Sequence, residues 1–161
     1  MMGRRYFVIF ALLLSLAMGV GFAIQPTALP EFELSTLDGQ AVKSLDLAGQ
    51  GHWLLICVQP NHQFSERLLK LLKREDYPQV AANAIVVVLG TAEEAKVLKA
   101  AYPDLATARW YADNSRNAFS KLKLHGVPVI VGLDKKVMLW NINGVLPDLN
   151  TEKSIVNTWL Q

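Results

Sequence analysis

One cysteine, Cys57, and three histidines, His52, His62 and His125, bound the chemistry open to this 161-residue chain. Disulfide exchange needs one thiolate to attack and a second thiol to resolve the mixed disulfide. With a single cysteine no intramolecular bridge can form, so any thiol chemistry would be monothiol or intermolecular. Cys57 lies inside the apolar run "LLICV", where a small apolar filler is wanted and no basic neighbour or helix N-terminus is at hand to stabilise a thiolate. Other catalytic patterns are missing: no Ser-His-Asp order with elbow glycines, no G-x-x-x-x-G-K-[ST], no G-x-G-x-x-G after a strand, and no paired carboxylates in a plausible cleft. Asp113 with Asn114, and Asp148 with Asn150, read as turn and cap residues. His52 reads as a loop residue, and Trp53, Trp110, Trp140 and Trp159 as packing residues.

The elements that must position these groups follow from hydrophobic period. "FELSTLDGQAV" alternates on either side of Asp38-Gly39, a hairpin signal. "HWLLICV" is a continuous apolar run, too short for a buried helix, and predicts a strand covered on both faces. From Ser65 to Arg74 a broad apolar face predicts an amphipathic helix, with Glu66 and Lys70 paired four residues apart. "AIVVVLG" predicts a second buried strand, and Thr91 with Glu94 predicts a capping box for a helix that Pro103 closes. "ARWYAD" predicts a short strand, "SRNAFSKLKL" a short helix, "VPVIVGLDKKVMLWNING" two strands around an Asp134-Lys135 turn, and "TEKSIVNTWLQ" a last helix. The strand–helix–strand–helix order implies parallel crossovers, and hence an α/β sandwich with a central mixed sheet flanked by helices on both faces.

The start of the chain is of another kind. Arg4 and Arg5 precede an uncharged, mostly apolar run of nineteen residues from Tyr6 to Ile24. As a helix at about 1.5 Å per residue it would just span a hydrocarbon core of about 30 Å. Residues 1–24 therefore read as a signal peptide, cleaved after Ala23, or as an uncleaved membrane anchor with the N-terminus cytoplasmic. Residues 25–31 read as a linker and 32–161 as one domain. With the two arginines set aside, 14 basic residues balance 14 acidic ones, and no Lys/Arg cluster suits a phosphate backbone, so nucleic acid is not an expected partner.

The stretch "LPEFELSTLDGQAVKSLDLAGQGHWLLICVQPN", followed much later by "SRNAFSKLKLHGVPVIVGLDKKVMLWNINGVL", resembles the thioredoxin-like proteins of the bacterial envelope, the TlpA/ResA-type reductases and cytochrome c maturation thioredoxins. The resemblance runs over about residues 30 to 160 and implies a thioredoxin-like three-layer sandwich, here with an N-terminal hydrophobic helix. It further implies that Pro128, in "HGVPV", is a cis-proline, with Val127 presenting its backbone N–H and C=O toward a partner. In that family a W-C-x-x-C motif ends the first central strand, and "PNHQFSE" fills the place. One register sets His62 and Ser65 at the two cysteine positions and the other sets Gln63 and Glu66 there, so neither supplies a thiol. The peroxiredoxin pattern P-x-x-x-T-x-x-C also fails, since Phe64 and Arg67 stand at its last two places after Pro60.

Copper-delivery proteins of the same fold use two cysteines and a distant histidine. His62 and His125 could approach one another, but two imidazoles without a thiolate or carboxylate make a weak site, and no metal or cofactor is expected. The expectation is therefore a domain without dithiol redox activity, not an enzyme, at the outer face of the bacterial inner membrane or in the periplasm. It would bind a protein partner of the envelope through a groove formed by Asn61, His62, Gln63, Ser65, Val127 and Pro128, as an assembly factor or accessory subunit. The alternatives are a monothiol redox-related protein using Cys57 or a partner's thiol, and a structural subunit held in a membrane complex by residues 6–24.

Overall fold

The computed structural model describes residues 25–73 and 75–161. The expected signal or anchor, 1–24, lies outside the described residues. Among the described residues eight strands make one sheet: β1 (Thr27–Ala28), β2 (Glu33–Thr36), β3 (Ala41–Lys43), β4 (His52–Val58), β5 (Ala84–Val88), β6 (Arg109–Ala112), β7 (Val129–Asp134) and β8 (Val137–Asn143). Their spatial order is β1-β8-β7-β4-β5-β6-β2-β3. β4, β5 and β6 run parallel and the remaining pairs are antiparallel, so the sheet is mixed with a parallel centre.

β4 shows why an unbroken apolar run forms a strand here. Leu54, Ile56 and Val58 point to one face and Trp53, Leu55 and Cys57 to the other, and both sets are buried. β5 repeats the pattern, with Val86 and Val88 opposite Ile85 and Val87. The first face is covered by α2 (Gln63–Leu71), α3 (Val80–Asn83), α4 (Ala92–Ala101) and α6 (Leu149–Trp159), through Leu68, Leu69, Val80, Ala95 and Val156. The second is covered by α1 (Ser44–Leu47), α5 (Asn117–Lys121) and the Phe32 to Leu34 segment. Each fully buried aliphatic side chain contributes roughly 1.5–3 kcal/mol of transfer free energy.

Several boundaries differ from the sequence reading for local reasons. The stretch expected as a linker contributes β1, which pairs with β8 at Met138 and Val137, and Leu29 beyond it is buried. Too few residues pair there to leave an alternating pattern. α2 starts two residues before Ser65, because His62 rather than a later residue ends the extended chain and accepts from Ser65 N–H. α6 starts at Leu149, where the Asp148 carboxylate accepts from Asn150 N–H at 3.0 Å. The capping box of α4 is complete: Thr91 N–H donates to Glu94 Oε2 at 2.7 Å and Glu94 N–H to Thr91 Oγ1 at 3.2 Å.

The indoles are structural. Trp53 Nε1–H donates to Lys135 O at 2.7 Å and Trp110 Nε1–H to Leu105 O at 2.9 Å. Trp140 lies across Gly132 of the neighbouring strand and meets Trp159 edge to face, with ring centroids 5.7 Å apart. A Cβ at position 132 would overlap the Trp140 ring, so Gly132 is the space the indole occupies. Gly132→Ala should therefore cost about 2 kcal/mol in urea unfolding, and Trp140→Leu in the same chain should recover part of that loss. Strictly additive effects of the two substitutions would refute the contact as the cause.

Candidate functional site

In the antiparallel β4–β7 pair Cys57 stands opposite Val129. The chain leaving β4 through Gln59 and Pro60 thus lies beside the chain entering β7 through Val127 and Pro128. The parallel neighbours end at the same level: Leu89 N–H donates to Val58 O, and Asp113 N–H to Val88 O, each at 2.8 Å. One end of the sheet therefore gathers the turn into α2, the approach to β7 and the loop into α5.

The turn is built by hydrogen bonds rather than by a hydrophobic plug. Asn61 has φ 55°, in the left-handed region that asparagine tolerates better than most residues. That twist brings His62 to the N-cap of α2, where Nδ1 accepts from Ser65 N–H at 3.4 Å and stands 3.2 Å from Ser65 Oγ. Nδ1 as acceptor requires the neutral ring to carry its proton on Nε2. Ser65 is fully buried, and its Oγ accepts from Gln59 N–H at 3.1 Å, so this hydroxyl ties the end of β4 to the first turn of α2. Gln63 is exposed on the same turn.

Pro128 is buried and the Val127–Pro128 peptide bond is cis. Pro128 O accepts from Gly144 N–H at 2.7 Å, which fixes the loop to the end of β8. Val127 is half-buried, and among the described residues its own N–H and C=O make no hydrogen bond. Asn61, His62, Gln63 and Ser65 thus share one turn, and the β4–β7 register sets Val127 and Pro128 next to it. His125 is exposed two residues upstream and lines a separate cleft with Lys121 and Lys123. Among the described residues no three His, Cys, Asp or Glu side chains are grouped as metal ligands would be.

Three side chains that the sequence reading did not single out belong to this end of the sheet. Phe64 is 52% exposed, with its ring centroid 5.9 Å from that of His62. Arg116 Nη2 donates to Gln59 Oε1 at 3.4 Å, and its guanidinium sits 5.6 Å from the Phe119 ring centre. Phe64 carried a readable signal, an aromatic off the apolar stripe of an amphipathic helix. Gln59 and Arg116 carried none, since 57 residues separate them.

Cys57 faces away from this surface chemistry. It has no exposure, and burial, followed by the negative charge of Asp113, pushes its thiol up to about 12. Asp113 is itself raised by burial, against the N–H groups of Asn117 (2.7 Å) and Phe119 (3.2 Å) that its carboxylate accepts at the start of α5. What the site offers is imidazole, hydroxyl, amide, an exposed phenyl ring and a free stretch of backbone. Such groups donate, accept and stack, and none of them can carry a disulfide electron pair.

No family model and no curated protein sequence matches the chain. Solved structures do. A Chlorobium tepidum protein bearing the name thiol:disulfide interchange protein DsbE superimposes with TM-score 0.69 at 16% identity, over 87% of this chain and 100% of that one. A secreted Mycobacterium tuberculosis disulfide oxidoreductase homologous to E. coli DsbE gives 0.62 at 13% identity, over 79% and 95%. The M. tuberculosis peroxidoxin BcpB gives 0.63 at 10% identity, over 86% and 97%. The fold is thus thioredoxin-like: a central mixed sheet between layers of helices.

Two measurements test the site as described. Iodoacetamide at pH 8 should leave native Cys57 unlabelled and modify it fully in denaturant; rapid labelling of the native chain would refute its enclosure. Because the folded value is raised above the ordinary 9.0, the thiol's contribution to stability is complete below pH 9 and is lost as pH rises toward 12. Tyr77, raised to about 12 mainly by burial, adds to the same alkaline loss. The part due to Cys57 is therefore the difference in slope between the native chain and Cys57→Ala, and equal slopes would contradict the assignment. At the turn, Ser65→Ala removes the only acceptor found for Gln59 N–H among the described residues and should cost about 1–2 kcal/mol in thermal or urea unfolding.

Proposed function

We propose that this protein is an exported, membrane-tethered thioredoxin-like module of the bacterial envelope, of the TlpA/ResA type in its architecture, that binds a protein partner and carries out no dithiol chemistry. The observation that carries this reading is the unpaired backbone of Val127 beside a thiol-free turn. The β4–β7 register sets Val127 and Pro128 beside the turn of Asn61, His62, Gln63 and Ser65, where this reading places the groove, and the side chains at its helix tip are His62 and Ser65. An extended peptide laid along Val127 would pair with its free N–H and C=O and add a strand-like pair. Phe64 offers that peptide an apolar contact, and His62 Nε2–H a donor.

Export is supported by the charge pattern of residues 1–24, and the absence of a second cysteine agrees with a role in holding or assembling a partner rather than oxidising it. The burial and raised pKa of Cys57 weigh against a monothiol activity. In this reading the protein acts as an assembly factor or accessory subunit, with its domain outside the inner membrane.

The test is capture from detergent-solubilised envelopes with the full chain as bait. A partner retained by the native chain should be lost with Val127→Pro, which removes the N–H, and weakened by Phe64→Ser. Retention unchanged by both substitutions would place binding elsewhere. In parallel, the native chain should not accelerate reduction of a protein disulfide by dithiothreitol above buffer, whereas His62→Cys with Ser65→Cys should. Catalysis by the native chain would overturn the reading.

A further inference from the structure

Arg116 stands where an arginine is costly. Its φ of 56° lies in the left-handed region, where a Cβ crowds the following carbonyl and glycine or asparagine is favoured. Residues held in such conformations cluster at binding and catalytic sites. The side chain reaches back to the end of β4: Nη2 donates to Gln59 Oε1 at 3.4 Å, and the guanidinium sits 5.6 Å from the Phe119 ring centre. Gln59 N–H is in turn held by Ser65 Oγ at 3.1 Å, so this one residue links the guanidinium to the turn into α2. The β4–β7 register, continued two residues past the pair of Cys57 and Val129, brings Gln59 level with Val127.

The cation has no carboxylate of its own. Asp113, the nearest acid in sequence, accepts instead from Asn117 N–H at 2.7 Å and Phe119 N–H at 3.2 Å. Each of the three ion pairs among the described residues is made by a lysine. Residues 1–24 and 74, outside that set, contain no Asp or Glu. A guanidinium carries five N–H donors in a planar fork, and among the described residues one donor of Arg116 meets an acceptor, at the long end of the hydrogen-bond range. The remaining donors suit two carboxylate oxygens at once. The Gln59 amide and the Phe119 ring direct the fork without neutralising it.

We infer that the partner segment received at the Val127 groove is acidic, and that Arg116 binds one of its carboxylate side chains as a bidentate pair while Phe64 meets an apolar residue of the same segment. This rests on the groove reading and adds the chemical class of its occupant. Charge complementarity then selects the partner. The left-handed backbone at position 116 is the cost of setting a cation where glycine would make the easier turn.

The probes are two peptides, acetyl-Glu-Val-Glu-Leu-Glu-Val-Glu-amide and the same sequence with Gln for every Glu, titrated into the full chain in mild detergent and followed by backbone amide NMR shifts. Both should shift residues 59–65 and Val127, the acidic peptide with a Kd about tenfold lower, and added salt should narrow the gap. Arg116→Gly should erase the preference. Because it relieves the left-handed backbone, it should also leave the melting temperature unchanged or higher. Equal affinity of the native chain for the two peptides overturns the proposal and leaves the groove reading standing, as does a preference that survives Arg116→Gly. A lowered melting temperature in Arg116→Gly overturns it by making the arginine a support of the fold. Phosphatidylglycerol vesicles that shift Arg116 when the acidic peptide does not overturn it in favour of a lipid headgroup. Binding of neither peptide removes the groove reading and this proposal with it.

Discussion

Burial of β4 on both faces governs the rest of the molecule. Flanked by β5 and β7, with helices above and below, β4 leaves only its first residue, His52, exposed and buries every side chain from Trp53 to Val58, so the groups it can offer a ligand lie at its ends. The stop is set by polar chemistry: Ser65 Oγ takes the Gln59 N–H that has left the ladder, and His62 takes the Ser65 N–H that the helix leaves unpaired. These bonds answer the general demand that buried backbone donors find acceptors. They make the turn a fixed feature of the fold whether or not it carries a thiol.

The turn is thus held by hydrogen bonds that need no sulfur. Cysteine at such a turn is chosen for its sulfur, while serine and histidine at the same places satisfy the local hydrogen bonds. The remaining sulfur moves in the opposite direction. At Cys57, five residues upstream in a dry strand, burial and the Asp113 charge favour the neutral thiol, and its part becomes that of a small core side chain.

Much of this was legible in the sequence because the signals were periodic or local. The buried strands, the Asp38-Gly39 hairpin, the Thr91–Glu94 box and the Asp134-Lys135 turn each rest on residues within a few positions of one another. The misplaced parts rest on contacts that no local pattern encodes. β1 consists of two residues stabilised by β8, more than a hundred positions away. α1 and α3 have four residues each, too few for a helical period to declare itself. At the candidate site the turn residues could be named from their place in the order of elements, but their hydrogen-bond roles could not. The link from Arg116 to Gln59 and the cleft behind His125 exist only once β7 and the α5 loop have been brought to the same end of the sheet.

The entry of the chain into the domain gives that end a further meaning. β1 pairs antiparallel to β8, with Thr27 opposite Met138 and Ala28 opposite Val137, so residues before Thr27 approach from the side of Leu139 and Asn143. Asn143 in turn stands opposite Val129, next to the Val127–Pro128 loop. Gln25 and Pro26, the first described residues, therefore lead into β1 at the end of the sheet where the turn and the unpaired backbone of Val127 lie.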